Sequence, residues 1–230
     1  MVKDCIVITG GASGLGKTLT EKFRNKKNKV FVVDLKIDSD VRDANIIKKI
    51  VPKDYKIKLL INNAAVEHIN WIEDTSIEEQ ENVISTNVIG YFRMVQGVLK
   101  HSMNIHGGTI INICSIAGKI PMRASCLYNV SKAAQIMMTK QMARELAIKN
   151  ITVFGFNLGR MPETEMSLRI DKKILKVRKW DEKYTKKYEL FNIPANRLTN
   201  TQEAADFIIN IYEKATSYLT GSIIDFAGGQ

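Results

Sequence analysis

Six short apolar runs, mostly β-branched, recur along the chain: Cys5–Thr9, Val30–Asp34, Leu59–Asn62, Thr109–Cys114, Thr152–Asn157 and Ser222–Phe226. Apolar residues at consecutive rather than alternate positions read as strands buried on both faces. Between the runs lie helical stretches at about Leu15–Lys26, Ser76–Ser102, Ser125–Lys149 and Thr201–Thr216. Ser76 with Glu79 has capping-box spacing, and Thr201-Gln202-Glu203-Ala204 opens the last stretch. Such alternation requires crossover connections, so the expected fold class is α/β: a doubly wound parallel sheet in three layers. No repeat, low-complexity tract or linker interrupts the pattern, and 230 residues fit a single domain spanning 1–230. Two places depart from it, the short passage from Asp34 to Leu59 and the basic, irregular stretch Glu163–Leu198.

Composition excludes several function classes. No apolar run approaches the roughly 20 residues that cross a bilayer. The N-terminal sequence Met1-Val2-Lys3-Asp4-Cys5 runs straight into the first strand without the features of a secretory signal, so a cytoplasmic location is expected. Three cysteines (Cys5, Cys114, Cys126) offer neither a disulfide framework nor metal-ligand spacing. The formal charge is +10, but the lysines are scattered (Lys26-Lys27, Lys48-Lys49, Lys172-Lys173, Lys186-Lys187) with no aromatic interleaving. They read as solvated helix faces, and neither a nucleic acid nor a membrane is expected as a partner.

Thr9-Gly10-Gly11-Ala12-Ser13-Gly14-Leu15-Gly16 joins the first strand to the first helix. Glycine lets backbone turn sharply and approach a pyrophosphate, and the helix N-terminus supplies free N–H groups and a positive dipole end. Between a strand and a helix, Gly10, Ser13, Gly14, Leu15 and Gly16 read as a dinucleotide-phosphate loop of a Rossmann-like fold. Asp34 ends the second strand, 24 residues after Gly10. A carboxylate there accepts hydrogen bonds from the adenosine ribose and repels a 2′-phosphate, which favours NAD(H) over NADP(H). Lys36 nearby is a cation that softens the preference and keeps NADP open.

Tyr128-Asn129-Val130-Ser131-Lys132 places a phenol and an ammonium four residues apart, on one face of a helix. A phenol is a poor proton shuttle at neutral pH, and a neighbouring cation stabilises its phenolate. By itself the pair is common by chance. Thirteen residues before Tyr128, however, Ser115 stands in Asn112-Ile113-Cys114-Ser115-Ile116-Ala117-Gly118. Asn62-Asn63-Ala64-Ala65 follows the Leu59–Asn62 run, and Asn87 lies within the long helical stretch after it.

With the glycine loop and Thr220-Gly221 before the last strand, these motifs make the whole chain resemble the compact single-domain branch of the short-chain dehydrogenase/reductase family. The resemblance implies an NAD(P)(H)-dependent oxidoreductase that interconverts a carbonyl and a secondary alcohol on a small molecule. It implies Tyr128 as general acid/base, and Lys132 as holder of the nicotinamide ribose that also lowers the tyrosine pKa. Ser115 would orient the substrate carbonyl, and Asn87 would support a water in a proton relay from Lys132. Asp40 and Val41 resemble the pair that contacts adenine, and Asn63 the residue near the cofactor ribose. A homodimer or homotetramer through the helices Ser76–Ser102 and Ser125–Lys149 is also implied.

Departures from the family pattern qualify these expectations. Asp34 is followed by Asp40-Val41 with no room for the usual helix, so one helix between the second and third strands is expected to be missing. The motif after Thr152–Asn157 reads Asn157-Leu158-Gly159-Arg160-Met161-Pro162-Glu163-Thr164, with leucine in the proline place and one residue more than usual before Thr164. Either Met161 or Pro162 would then face the nicotinamide carboxamide, with Thr164 beside the cofactor. Phe154 stands where the family often has asparagine, and Ala65 replaces a glycine. Neither lies in the proton path.

Substrate choice in this fold belongs to loops beyond the strand ends: 66–71, 119–126 and 163–198. The last is rich in lysine and arginine, including Arg169 and Arg178. It reads either as a mobile lid over an anionic substrate or as solvated helix, and His68 either as a substrate contact or as a solvated loop histidine. Two other functions compete. A sugar-nucleotide epimerase or dehydratase on a related fold would need a larger C-terminal domain. A non-catalytic dinucleotide-binding regulator would tend to lose a member of the Asn87, Ser115, Tyr128 and Lys132 set.

Overall fold

Alternate residues of the first strand, β1 (Lys3–Thr9), enter two different apolar clusters: Cys5 and Val7 one, Ile6 and Ile8 the other. A strand side chain points to opposite faces at successive positions, so both faces of the sheet are covered. The computed structural model describes residues 3–230, apart from the side chain of Lys186; Met1 and Val2 of the expected leaderless N-terminus lie outside the described residues, as does the side chain of Lys186 in the Lys186-Lys187 pair. The other strands are β2 (Val30–Val33), β3 (Tyr55–Asn62), β4 (Gly108–Ser115), β5 (Ile151–Leu158) and β6 (Ile223–Phe226). All pair in parallel in the order β2-β1-β3-β4-β5-β6. The chain steps from β1 out to β2 and then back to the other side of β1, which makes the β1/β3 boundary the switch point where ligands bind in such sheets.

Helix α1 (Gly14–Asn25) lays Leu15, Leu19 and Phe23 on one sheet face. The passage from β2 to β3 opens with a 3-10 turn at Leu35–Ile37 and no helix lies between Asp34 and Asp40, but the helix expected to be missing between these strands is shortened rather than absent. A five-residue helix that the sequence did not reveal, α2 (Ile46–Ile50), follows the turn and buries Ile46 and Ile47. Helix α3 spans residues 77–106, four residues beyond its expected end, and begins with the Ser76–Glu79 capping box. It widens into π turns at Ser85–Gly90 and Leu99–Met103. With α4 (Cys126–Leu146), it covers the opposite face through Met94, Val95, Val98, Met142 and Leu146.

The stretch 163–198 is ordered as two helices rather than irregular: α5 (Glu165–Arg178), capped by Thr164, and α6 (Glu182–Phe191), capped by Asp181. Ile170, Ile174 and Val177 recur at helical spacing and pack into a small third cluster with Ile69, Ala124, Trp71 and Trp180. Three residues are buried in it, Ile69, Ala124 and Ile174. At roughly 1.5–3 kcal/mol for each large apolar side chain, this attachment is far weaker than the two main cores. Helix α7 (Thr201–Lys214), capped by Asn200, returns to the α1 face through Ala204, Ala205, Ile208 and Ile209.

Candidate active site

A cavity of about 750 Å³ opens at the C-terminal edge of the sheet, across the β1/β3 switch point. Gly10, Ser13, Gly14, Leu15, Asp34, Asp40, Val41, Asn63, Ser115, Tyr128, Lys132, Met161 and Thr164 all line it. Of the residues singled out from sequence, Gly16 and Asn87 stand behind the wall.

At one end, Gly10 and Gly14 adopt positive φ of 66° and 50°. A side chain at Gly10 would run into Asn63 and Ala64, and one at Gly16 would meet the Gly10 carbonyl. Thr9 Oγ1 accepts the N–H groups of both Asn63 and Ala64 at 2.9 Å, and Asn63 Nδ2 donates to the carbonyls of Thr9 and Gly10. Ser13 makes no side-chain cap on α1, and no acid occupies the first turn. The helix N–H groups therefore face the cavity free for an anion, which is what a pyrophosphate requires. Asp34 and the Asp40-Val41 pair lie along the same wall. Lys36 Nζ is taken up by Glu165 at 2.6 Å rather than left beside Asp34. Burial raises the Asp40 carboxyl, but hydrogen bonds from Arg42 outweigh it and hold the group below its usual range. Val41 is buried against Gly90 of α3. These features fit a dinucleotide.

At the other end, Ser115 closes β4 and Tyr128 and Lys132 project from α4. Burial pushes the Tyr128 phenol up to about 12, and the Ser115 hydroxyl works in the opposite direction. Burial likewise pushes Lys132 down to about 8. The Lys132 ammonium lies 5.7 Å from the centre of the Tyr128 ring and donates to the Ile113 carbonyl at 3.2 Å and to Gln135 Oε1 at 2.9 Å. The ammonium bonds to these two oxygens, and desolvation is the larger influence on the phenol.

Asn87 is fully buried in the first π turn, where its Oδ1 accepts from Val66 N–H and its Nδ2 donates to the Val66 carbonyl and Ser131 Oγ. Its backbone carbonyl accepts from Gln135 Nε2 at 2.7 Å. The Gln135 amide thus spans Lys132 and Asn87, between which the resemblance implied a water. Sequence reading missed Gln135. The available signal was a polar stripe, Lys132, Gln135 and Thr139, at helical spacing on a face that packs inward.

The substrate side also differs from expectation. His68 is 3% exposed rather than solvated, with both ring nitrogens lacking a hydrogen-bond partner, and burial lowers its pKa. Arg169 pairs with Glu67 at 3.1 Å, and Arg178 donates to the Arg123 carbonyl. Met161 lines the cavity whereas Pro162 is exposed. All three cysteines are free thiols, and no cluster of potential metal ligands occurs among the described residues. Among them, too, no helix is long and apolar enough to cross a membrane.

The sequence profile of the short chain dehydrogenase family matches residues 36–174. A 3-oxoacyl-[acyl-carrier-protein] reductase of Thermotoga maritima is 29% identical, over 99% of this chain and 97% of its own. In fold the chain is similar to NAD⁺-bound xylitol dehydrogenase (TM-score 0.89, 22% identity, 99% and 98% of the two chains). It is similar also to a short chain dehydrogenase family protein of Francisella tularensis (TM-score 0.85, 24% identity, 100% and 98%). A glycine loop, a tyrosine–lysine pair and a serine on one cavity, joined to these likenesses, place the chain in the short-chain dehydrogenase/reductase family, as an NAD(P)(H)-dependent oxidoreductase that interconverts a carbonyl and an alcohol.

Proposed function

We propose that Tyr128 is the general acid/base of this oxidoreductase, that Ser115 orients the substrate oxygen, and that Lys132 holds the nicotinamide ribose. The placement of Ser115, Tyr128 and Lys132 on one cavity wall carries this reading, since it brings two hydroxyls to one cavity where a carbonyl oxygen can accept from both. When bound, the nicotinamide supplies the hydride. The phenol, held near 12, is protonated at neutral pH and stands ready as an acid, which suits reduction of the carbonyl. The third ammonium proton of Lys132, the one not given to Ile113 or Gln135, is available to the cavity. Asn87 braces the loop after β3 against α4, and so positions the wall rather than meeting the reacting atoms.

NAD(H) is the preferred partner in this reading, because Asp34 faces the adenosine end and Lys36, engaged by Glu165, is not free for a 2′-phosphate. The substrate is a carbonyl compound with an apolar body, the class to which an acyl thioester belongs. Ile120, Met122, Ile170, Ile174 and Trp180 support this, and Arg169 and Arg178 are occupied rather than free for an anion. Helices α5 and α6 then serve as a lid. A homodimer or homotetramer in the cytoplasm accompanies the proposal, supported by exposed Ile89 and Phe92 on α3 and Val130 and Met137 on α4.

Reduction of a panel of 3-oxoacyl and simpler ketone substrates, with NADH and NADPH compared, tests the reading. Tyr128→Phe should lose about 10²–10⁴-fold in kcat with the fold retained. A variant as active as the wild type on any substrate turned over would remove it.

A further inference from the structure

Gln135 is fully buried one turn beyond Lys132 on α4, and its amide is held at both ends. Oε1 accepts from the Lys132 ammonium at 2.9 Å and Nε2 donates to the Asn87 carbonyl at 2.7 Å. These partners fix the amide's orientation, since an ammonium only donates and a carbonyl only accepts. Asn87 is in turn pinned to both the N–H and the carbonyl of Val66 and to Ser131. A continuous set of contacts therefore runs from the loop after β3, through the π turn of α3, to the ammonium. A lysine stem is flexible, with an ammonium that turns freely. Here one of its protons is given to Gln135 and another to Ile113, which leaves the last for the cavity.

We infer that Gln135 is a positioning residue for Lys132: its amide, anchored on Asn87, keeps the buried ammonium charged and aimed into the cavity. This rests on the reading of Lys132 as the ribose-holding residue. Among the described residues no carboxylate supplies that support. The titratable groups that face the ammonium are Cys114 from β4, whose thiol burial pushes up to about 11, and Tyr128 from α4 itself. Tyr91, facing Gln135 from α3, is raised well above the ordinary phenol range by burial. All three are neutral at pH 7; burial draws Lys132 down to about 8, and the oxygens that accept its protons are those of Gln135 and Ile113.

Titration of the Lys132 Nζ by ¹⁵N NMR in the cofactor-free protein tests the inference, with Lys132→Arg assigning the resonance. Gln135→Met keeps the length and removes the acceptor, and its lysine should titrate lower by about one pH unit or more. Gln135→Glu puts a charge in the same place and should raise the midpoint by a similar amount. The upper limb of the kcat/KM pH profile should move in the same two directions, which a purely structural residue would not produce. Should Gln135→Met not fold, the glutamate variant decides alone. A midpoint that stays put in Gln135→Glu overturns the assignment. That result is independent of turnover, whereas Tyr128→Phe decides the catalytic reading on which the inference rests.

Discussion

Asp34 Oδ2 accepts the backbone N–H of Ala12 at 2.9 Å, so the carboxylate at the end of β2 braces the glycine loop beside it. Its other oxygen accepts the Lys36 N–H at 2.9 Å. Each oxygen keeps a further lone pair for a ribose hydroxyl, since a carboxylate accepts about four hydrogen bonds in all. Replacing Asp34 with serine should raise the KM for NADH by about tenfold, one charge-assisted hydrogen bond's worth. The kcat/KM ratio of NADPH to NADH should rise, because the charge that repels a 2′-phosphate is gone. An unchanged ratio would show that Asp34 does not select the dinucleotide.

The buried lysine gives stability a definite pH dependence. Its folded value of about 8 lies below the ordinary 10.5, so between those limits the unfolded chain holds more protons on this group than the folded one. Stability from Lys132 therefore rises with pH across that window. Tyr128 acts in the opposite sense from 10 to about 12, where the folded chain holds more protons and stability falls. Urea unfolding at pH 7.5 and 9.5 should show the wild type gaining on Lys132→Met as pH rises. Parallel curves for the two proteins would mean that the lysine is charged in the fold at both pH values.

How much of this was legible depended on how far along the chain each signal extends. The buried strands were readable because continuous apolar runs such as Leu59–Asn62 have few other uses in a chain of this composition. Helix α2 was not, since five residues carry less than two turns of periodicity. Helices α5 and α6 were obscured by their lysines, although Thr164, Asp181 and the Ile170–Ile174–Val177 spacing were there to read. Tyr128 and Lys132 acquired weight only from Ser115 and the glycine loop far away in sequence. Gln135 and the π turn at Asn87 depend on which helix face meets which loop, and that is settled by tertiary packing.

Two glycines in the loop should respond differently to the same methyl group. At Gly16 a Cβ would sit 2.0 Å from the Gly10 carbonyl oxygen and 2.6 Å from Asn63 Nδ2. Backbone cannot yield that much without displacing α1, so Gly16→Ala should cost about 3 kcal/mol or more. It should also abolish the thermal shift produced by NADH. At Gly14 the nearest atom is Thr164 Cγ2 at 3.4 Å, and the cost is the positive φ alone, about 1–2 kcal/mol. Gly14→Ala should keep a reduced shift. Equal losses in the two variants would show that close packing at Gly16 is not what the loop requires.

Arg160 ties α5 and α6 to the end of β5. Its guanidinium pairs with Asp171 on α5 and Glu189 on α6 and donates to the Ser167 carbonyl at 3.2 Å. The arginine side chain is 18% exposed but the two acids are 42% and 21% exposed, so solvent screens the pairs. Removing the arginine should therefore cost about 1–2 kcal/mol, less than a fully buried pair would. Because the third apolar cluster is small, that loss should appear locally before it appears globally. Arg160→Leu is expected to speed limited proteolysis within 163–198 and to raise the substrate KM more than the NADH KM. Cleavage at the wild-type rate, with both constants unchanged, would mean that α5 and α6 do not open and close as a lid.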